Sequence, residues 1–434
     1  MRRMTGRLAL IPVVALALAA CGGGSSTSTK PTDTASSSTA SPADVKAELT
    51  WWDTSDATNE APTYKKLIAK FNETYPNVKI NYQSVPFGEA QNKFKTAAAA
   101  KSGAPDILRA EVAWVPEFAS LGYLYALDDT SLVKDQSDFL PTPVGSTKFD
   151  GKTYGVPQVT DSLALMYNKK LFAAAGVEVP KTWDEMKAAA ATIKTKTGKA
   201  GAFLNPGGYF MLPFIYGEGG DLLNAVDKKI TINGPEAIAG AAKAAELVKA
   251  PGFVKPPATD AYTAMMKGFT GGETAMIING PWEVNNIKGA AAFGGLDNLG
   301  IAVVPAGSKR AGAPVGGHDY VIWSGMPTEK AAAATAFIAF MTSAETQATV
   351  ADELGVLPTR TSAYAKVTNP IIGLFQPVME AAVARSWIPE GGQLFGPLDE
   401  AATKIMVLGQ DPKAALDAVA KRYKAEVVKN YTTN

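Results

Sequence analysis

Apolar positions along the chain change their spacing repeatedly, and those changes predict alternating strands and helices. Glu-Leu-Thr-Trp-Trp at 48–52 reads as a short strand. Tyr64, Leu67, Ile68 and Phe71 share one helical face. Val78, Ile80 and Tyr82 fall on one side of a strand over 78–85. Thr182-Trp183-Asp184-Glu185 has the form of a capping box, with Thr182 accepting from the backbone and Glu185 reaching back. Asp411-Pro412 opens a last helix with Leu416, Val419, Ala420, Tyr423 and Val427 turned inward. Repeated strand–helix alternation predicts an α/β architecture, and open α/β sheets bind ligands outside the carboxyl ends of their strands. The run GETAMIINGPW (272–282) leaves a strand through Asn279-Gly280-Pro281 and presents Trp282 at such an end. That indole either caps a core or is held at a cleft.

The first residues follow a different pattern. Arg2, Arg3 and Arg7 precede an apolar stretch from Leu8 to Ala20 that is too short for a typical spanning helix of about 20 apolar residues. Residues 1–20 therefore read as a signal peptide. Leu18-Ala19-Ala20-Cys21 resembles the bacterial lipobox, in which the cysteine is lipidated and becomes the first mature residue. Residues 21–44, rich in Gly, Ser and Thr, bury too little to order themselves and read as a flexible tether.

Cys21 is the only cysteine, so the exported body is expected to rest on its core rather than on disulfides. Residues 1–20 contain three arginines and no acid, and without them the formal charge goes from +1 to −2. Near-neutrality argues against nucleic acid and against a charge-held membrane mode. A chain of 434 residues exceeds one typical core, so two lobes are expected. With one histidine and one cysteine, His/Cys metal sites are excluded. No G-x-x-x-x-G-K loop and no G-x-S-x-G elbow occurs, and no cofactor is expected.

Five stretches occur in order: FNETYPNVKI (71–80), APDIL (104–108), YNKKLFAAAGVEVPKTWDEM (167–186), GETAMIINGPW (272–282) and GVLPTR (355–360). Together they resemble the extracellular solute-binding proteins of ATP-driven carbohydrate importers, with the maltose/maltodextrin and trehalose/maltose binders most similar. The resemblance spans roughly 48–428. It implies a two-lobe periplasmic-binding-protein-like fold of type II, with the ligand cleft between discontinuous lobes joined by crossing hinge segments. The first lobe would hold 45–160 and 305–365, the second 161–304 and 366–434. It also implies a monomer that is not an enzyme. Its partners would be an oligosaccharide, the permease subunits with their ATPase, and a lipid anchor on the extracellular side of the cell membrane.

The resemblance also marks candidate ligand residues. Trp282 would stack on a sugar, and Asp161 would accept from sugar hydroxyls where some members carry Glu. Glu111 stands where trehalose/maltose-type members place a carboxylate, although the Trp, Asp and Arg of the enterobacterial maltodextrin pattern are missing there. Asp53 and Asp56 follow the first strand, and Gln83 leaves the second at a comparable place; Asp56 serves equally well as an N-cap. Tyr209 matches an aromatic that packs on the sugar, with Gly207-Gly208 in place of the usual preceding acid. His318 follows two glycines that allow close backbone approach to a ligand. Glu390 lies in a Gly-rich loop suited to closing on the sugar, while Trp114 and the adjacent Trp387 read as core. Arginine is scarce among the candidates, so a neutral ligand is expected, maltose, a maltodextrin or a trehalose-like α-glucoside. Two other readings stay open: a secreted glycosidase using Glu111 and Asp161 as acid and base, and a non-catalytic surface protein that grips polymeric glycan.

Overall fold

A computed structural model describes residues 41–433. The signal peptide, Cys21 and the tether up to residue 40 lie outside the described residues. Ten strands build two principal sheets: β1 Ala47–Asp53, β2 Val78–Ser84, β3 Ile107–Glu111, β4 Gly155–Ser162, β5 Ala164–Asn168, β6 Ala200–Phe203, β7 Thr274–Asn279, β8 Leu299–Ala302, β9 Val315–Ile322 and β10 Leu357–Pro358. The first sheet has six strands in the order β10-β4-β9-β3-β1-β2, the second four in the order β8-β5-β7-β6. β1 runs parallel to both β2 and β3, while β9 lies antiparallel between β3 and β4. The chain crosses from the first sheet to the second between Ser162 and Ala164, and back between Ala302 and Val315.

Each sheet carries its own core. Trp51 is fully buried in the first, with Tyr64, Tyr82, Tyr320 and Phe337 meeting it edge-on at centroid distances of 5.3–6.0 Å. Helix Ala61–Thr74 contributes Tyr64, Leu67 and Phe71 to that core, and Ile68 lies at its margin. β2 is an edge strand, which explains why Val78 is buried but Ile80 and Tyr82 only half so. In the second core Trp183 stacks on Phe214 at 4.1 Å. A further cluster joins the two sheets, packing Ala351 and Leu357 with Met166, Ile277 and Val284.

The caps form close to where the sequence places them. Thr182 accepts from Glu185 N–H at 3.2 Å, and the Glu185 carboxylate takes the Lys181 N–H at 2.7 Å, one residue upstream of the usual box partner. Asp411 caps the N–H of Ala414 in helix Pro412–Arg422. That helix buries Leu416, Val419 and Ala420, then widens into a π turn over Tyr423–Val427. Among the described residues no helix is long and apolar enough to cross a membrane.

Candidate functional site

The register of the first sheet places the candidate side chains. His318 on β9 stands opposite Glu111 at the end of β3, so their side chains leave the sheet on the same side. Asp161 on β4 stands opposite Gly316. A Cβ at Gly316 would come within 2.2 Å of Asp161 Oδ1 and 2.7 Å of Tyr209 Oη. Gly317, at φ +137°, lies against the Val159 carbonyl, where a Cβ would sit at 2.3 Å. The two glycines thus make room for a carboxylate, a phenol and the neighbouring strand, rather than simply clearing backbone for a ligand.

Tyr209 begins the helix Gly208–Gly217, which packs into the second core. Its hydroxyl is 3.2 Å from the Pro314 carbonyl and 3.5 Å from Asp161 Oδ1. Arg385, which follows the short helix Gln376–Glu380, links the pieces. Its Nε donates to the Val315 carbonyl at 2.9 Å, and its guanidinium pairs with Glu111 Oε1. Glu111 Oε2 takes the Ala113 N–H at 2.9 Å. The guanidinium carbon also lies 5.9, 5.4 and 5.6 Å from the ring centroids of Tyr209, Trp387 and Phe395.

Burial governs the titration here. Asp161 is pushed up to about 7 because its carboxylate is desolvated; Arg385 opposes the rise, and the Glu111 charge adds to it. Burial, reinforced by Asp161, lifts the Tyr209 phenol well above its ordinary value. His318 is held well below the usual imidazole value by burial and by the charges of Arg109 and Arg385. It is therefore neutral at pH 7, and neither ring nitrogen has a hydrogen-bond partner.

Trp282 reaches the same line through aromatic steps. Its Nε1 donates to the Tyr262 hydroxyl at 2.7 Å, Tyr262 lies 6.0 Å from Phe210, and Phe210 lies 6.1 Å from Tyr209. The Trp282 carbonyl accepts from Asn59 Nδ2 at 3.0 Å, which ties the turn after β7 to the loop after β1. The structure therefore brings Glu111, Asp161, Tyr209 and His318 together around Arg385, with Trp282 at the end of an aromatic path.

The remaining candidates sit differently. Asp53 is fully buried and accepts from Ser55 and from Tyr82 Oη at 2.8 Å, with Arg109 Nε 3.9 Å away. Asp56 closes its own loop, accepting from Thr58 N–H at 2.8 Å and Asn59 N–H at 2.6 Å. Partial burial raises its pKa, but those hydrogen bonds prevail and leave it below the ordinary value. Gln83 accepts from Trp52 Nε1 at 2.9 Å. Glu390 lies near enough to Tyr431 for its charge to add to the effect of burial on that phenol.

The sequence reading missed Arg385. The only local signal is a lone cation in the apolar and aromatic run Ala-Val-Ala-Arg-Ser-Trp-Ile-Pro (382–389), since its partner Glu111 is 274 residues away. Among the described residues no group of three or more His, Cys, Asp or Glu is arranged to hold a metal ion.

Residues 56–348 match the model of the family described as bacterial extracellular solute-binding protein. This chain belongs to that family. A maltotriose-binding protein of Pyrococcus abyssi is 26% identical over 381 residues, covering 86% of this chain and 80% of the relative. The GacH receptor of Streptomyces glaucescens, solved unliganded and with acarbose or an acarbose homolog, is 40% identical. It superposes with a TM-score of 0.85 over 89% of this chain and 100% of its own. Maltose-bound MalE3 of T. maritima, 24% identical, shares the fold with a TM-score of 0.79 over 87% of this chain and 100% of its own. The two-sheet architecture is thus that of the two-lobe sugar-binding proteins.

Proposed function

We propose that this solute-binding protein captures a neutral oligosaccharide between its lobes and delivers it to the permeases of an ATP-driven importer. A maltodextrin or related α-glucoside is the proposed ligand class. The observation that carries this reading is the line Glu111–Arg385–Tyr209–Asp161, which joins two carboxylates of the first sheet to a tyrosine on a helix of the second core. A pyranose has hydroxyls on its rim and C–H groups on its faces. Carboxylates and a guanidinium suit the rim, and Tyr209, Phe395 and Trp282 suit the faces. Charge favours a neutral guest: Glu111 and Arg385 offset one another, and burial shifts the Asp161 carboxyl towards its uncharged form. The 40% identity to a receptor solved with acarbose supports a carbohydrate ligand.

No bond is broken in this reading. A raised Asp161 alone resembles a general acid, but Glu111 is held by Arg385 and by the Ala113 N–H rather than free to act as base or nucleophile. The body acts as a monomer, tethered outside the cell by a lipid on Cys21. Intact mass of membrane-extracted protein should show the acyl addition, and an unmodified Cys21 terminus would remove the anchor from the account.

The test of function is calorimetric titration with maltose, maltotriose, trehalose, acarbose and cellobiose, followed by chromatography after long incubation. One-to-one binding of at least one α-glucoside at micromolar or better affinity, about −8 kcal/mol, with the sugar recovered intact, is expected. Hydrolysis products, or no heat with any sugar, would refute it.

A further inference from the structure

The polar edge of Trp282 is engaged by its own protein. Its Nε1 donates to Tyr262 Oη at 2.7 Å. Tyr262, on the helix Ala261–Thr270, donates in turn to Glu283 Oε1 at 2.5 Å, and Asn286 Nδ2 donates to Glu283 Oε2 at 2.8 Å. The fully buried Asn279 donates its Nδ2 to Tyr262 Oη at 3.3 Å, while its Oδ1 takes the Gly280 N–H at 2.9 Å. A phenol has one proton to give and two lone pairs that accept. Tyr262 uses all three, on Glu283, Trp282 and Asn279. Burial, reinforced by the Glu283 charge, holds the phenol well above its ordinary value, so it keeps the proton that it gives to Glu283.

The indole is confined from a second side. A Cβ at Gly280 would lie 1.9–2.3 Å from Cζ3, Cη2 and Cε3 of Trp282, so the six-membered part of the ring folds back against the glycine. Asn59 holds the Trp282 carbonyl, but that bond acts on the main chain and leaves the ring to Gly280 and Tyr262. The indole is only partly buried where it packs against the second core.

Two consequences follow for a guest. An N–H that is given to Tyr262 is not free for a sugar hydroxyl, so Trp282 offers a face and no donor. A stacking contact depends on the tilt of the ring, and a ring already fixed in its bound orientation loses little further freedom when the guest arrives.

We infer that Tyr262 is a positioning residue for sugar binding: its hydroxyl, clamped between Asn279 and Glu283, holds the Trp282 indole as a pre-oriented stacking face. Its effect on the sugar is exerted through Trp282 alone. The inference rests on the sugar-binding function proposed above and deepens it.

The test is a double-mutant cycle of Tyr262→Phe with Trp282→Phe, titrated with the tightest-binding of the five sugars named above. Tyr262→Phe keeps the ring and removes only the hydroxyl. It should weaken binding about five-fold, the worth of one hydrogen bond. In the Trp282→Phe background, which has no N–H to hold, the same change should alter affinity by less than about two-fold. Glu283→Gln leaves Tyr262 an acceptor and should retain most of the affinity. Ultraviolet resonance Raman gives a readout that needs no sugar: the indole N–H band of Trp282, isolated by subtracting the Trp282→Phe spectrum, should move to its non-hydrogen-bonded position in Tyr262→Phe. Unchanged affinity in Tyr262→Phe, equal losses in both backgrounds, or an unmoved band overturns the positioning role and leaves the function standing. Absence of binding to all five sugars by the unaltered protein overturns both.

Discussion

At Arg385 one buried guanidinium meets Glu111, the Val315 carbonyl and three aromatic rings. Removing one partner of a buried pair leaves the other charge uncompensated, which makes Glu111 and Arg385 a unit. Asp161 has only the 3.5 Å contact from Tyr209, so burial dominates its titration. The sign follows from proton binding. Asp161 is near 7 when folded and near 3.8 when unfolded, so between those values the folded state holds the extra proton. Its contribution therefore favours folding at low pH and is lost as pH rises through about 7. Asp161→Asn should gain stability relative to the unaltered protein as pH goes from 4 towards 7, by at most about 1.4 kcal/mol per pH unit. Denaturant melts of both proteins across that range check it, and a difference that stays flat or falls with pH would contradict the assignment. Asp161, Tyr209 and Glu111 were singled out from their places between the stretches that resemble the family, and the fold sets the three around Arg385. Arg385 was not, because its meaning depends on a partner 274 residues away. Asp56 fits both a helix N-cap and a ligand contact by residue type, but the next helix begins at Ala61 after Glu60, and Asp56 instead accepts from Thr58 and Asn59 within its own loop.

The elements were legible where local chemistry decides them. The strand at 47–53, the helix face of Tyr64, Leu67 and Phe71, and the Thr182 and Asp411 caps follow from period and capping residues alone. What the pattern could not show is which strands neighbour one another. β3 and β9 are about 200 residues apart in the chain, yet their register sets His318 beside Glu111. Nor does apolar spacing reveal that β9 passes so close to β4 that Gly316 and Gly317 are sterically required. The turn after β7 shows the same division. Its end at Asn279 and the following Pro281–Glu283 turn are plain in the sequence, but the Tyr262 hydroxyl that fixes the Trp282 indole comes from a separate helix, Ala261–Thr270.

On the scale of the whole molecule, the two sheets are joined by crossing segments and by polar contacts on either side of the Arg385 line. Asn59 donates to the Trp282 carbonyl and accepts from Asn285 Nδ2, and Gln393 donates to Glu117. These few hydrogen bonds, each worth about 1 kcal/mol net, are weak enough to open and close. A sugar favours closure only as far as it binds the closed arrangement more tightly than the open one. On the proposed function the ligand is held between the lobes and biases them shut. Small-angle X-ray scattering of the protein with and without a saturating maltodextrin tests it most directly. The radius of gyration should be smaller when the sugar is bound. Saturation by the sugar with no change in that radius would place the ligand elsewhere and contradict it.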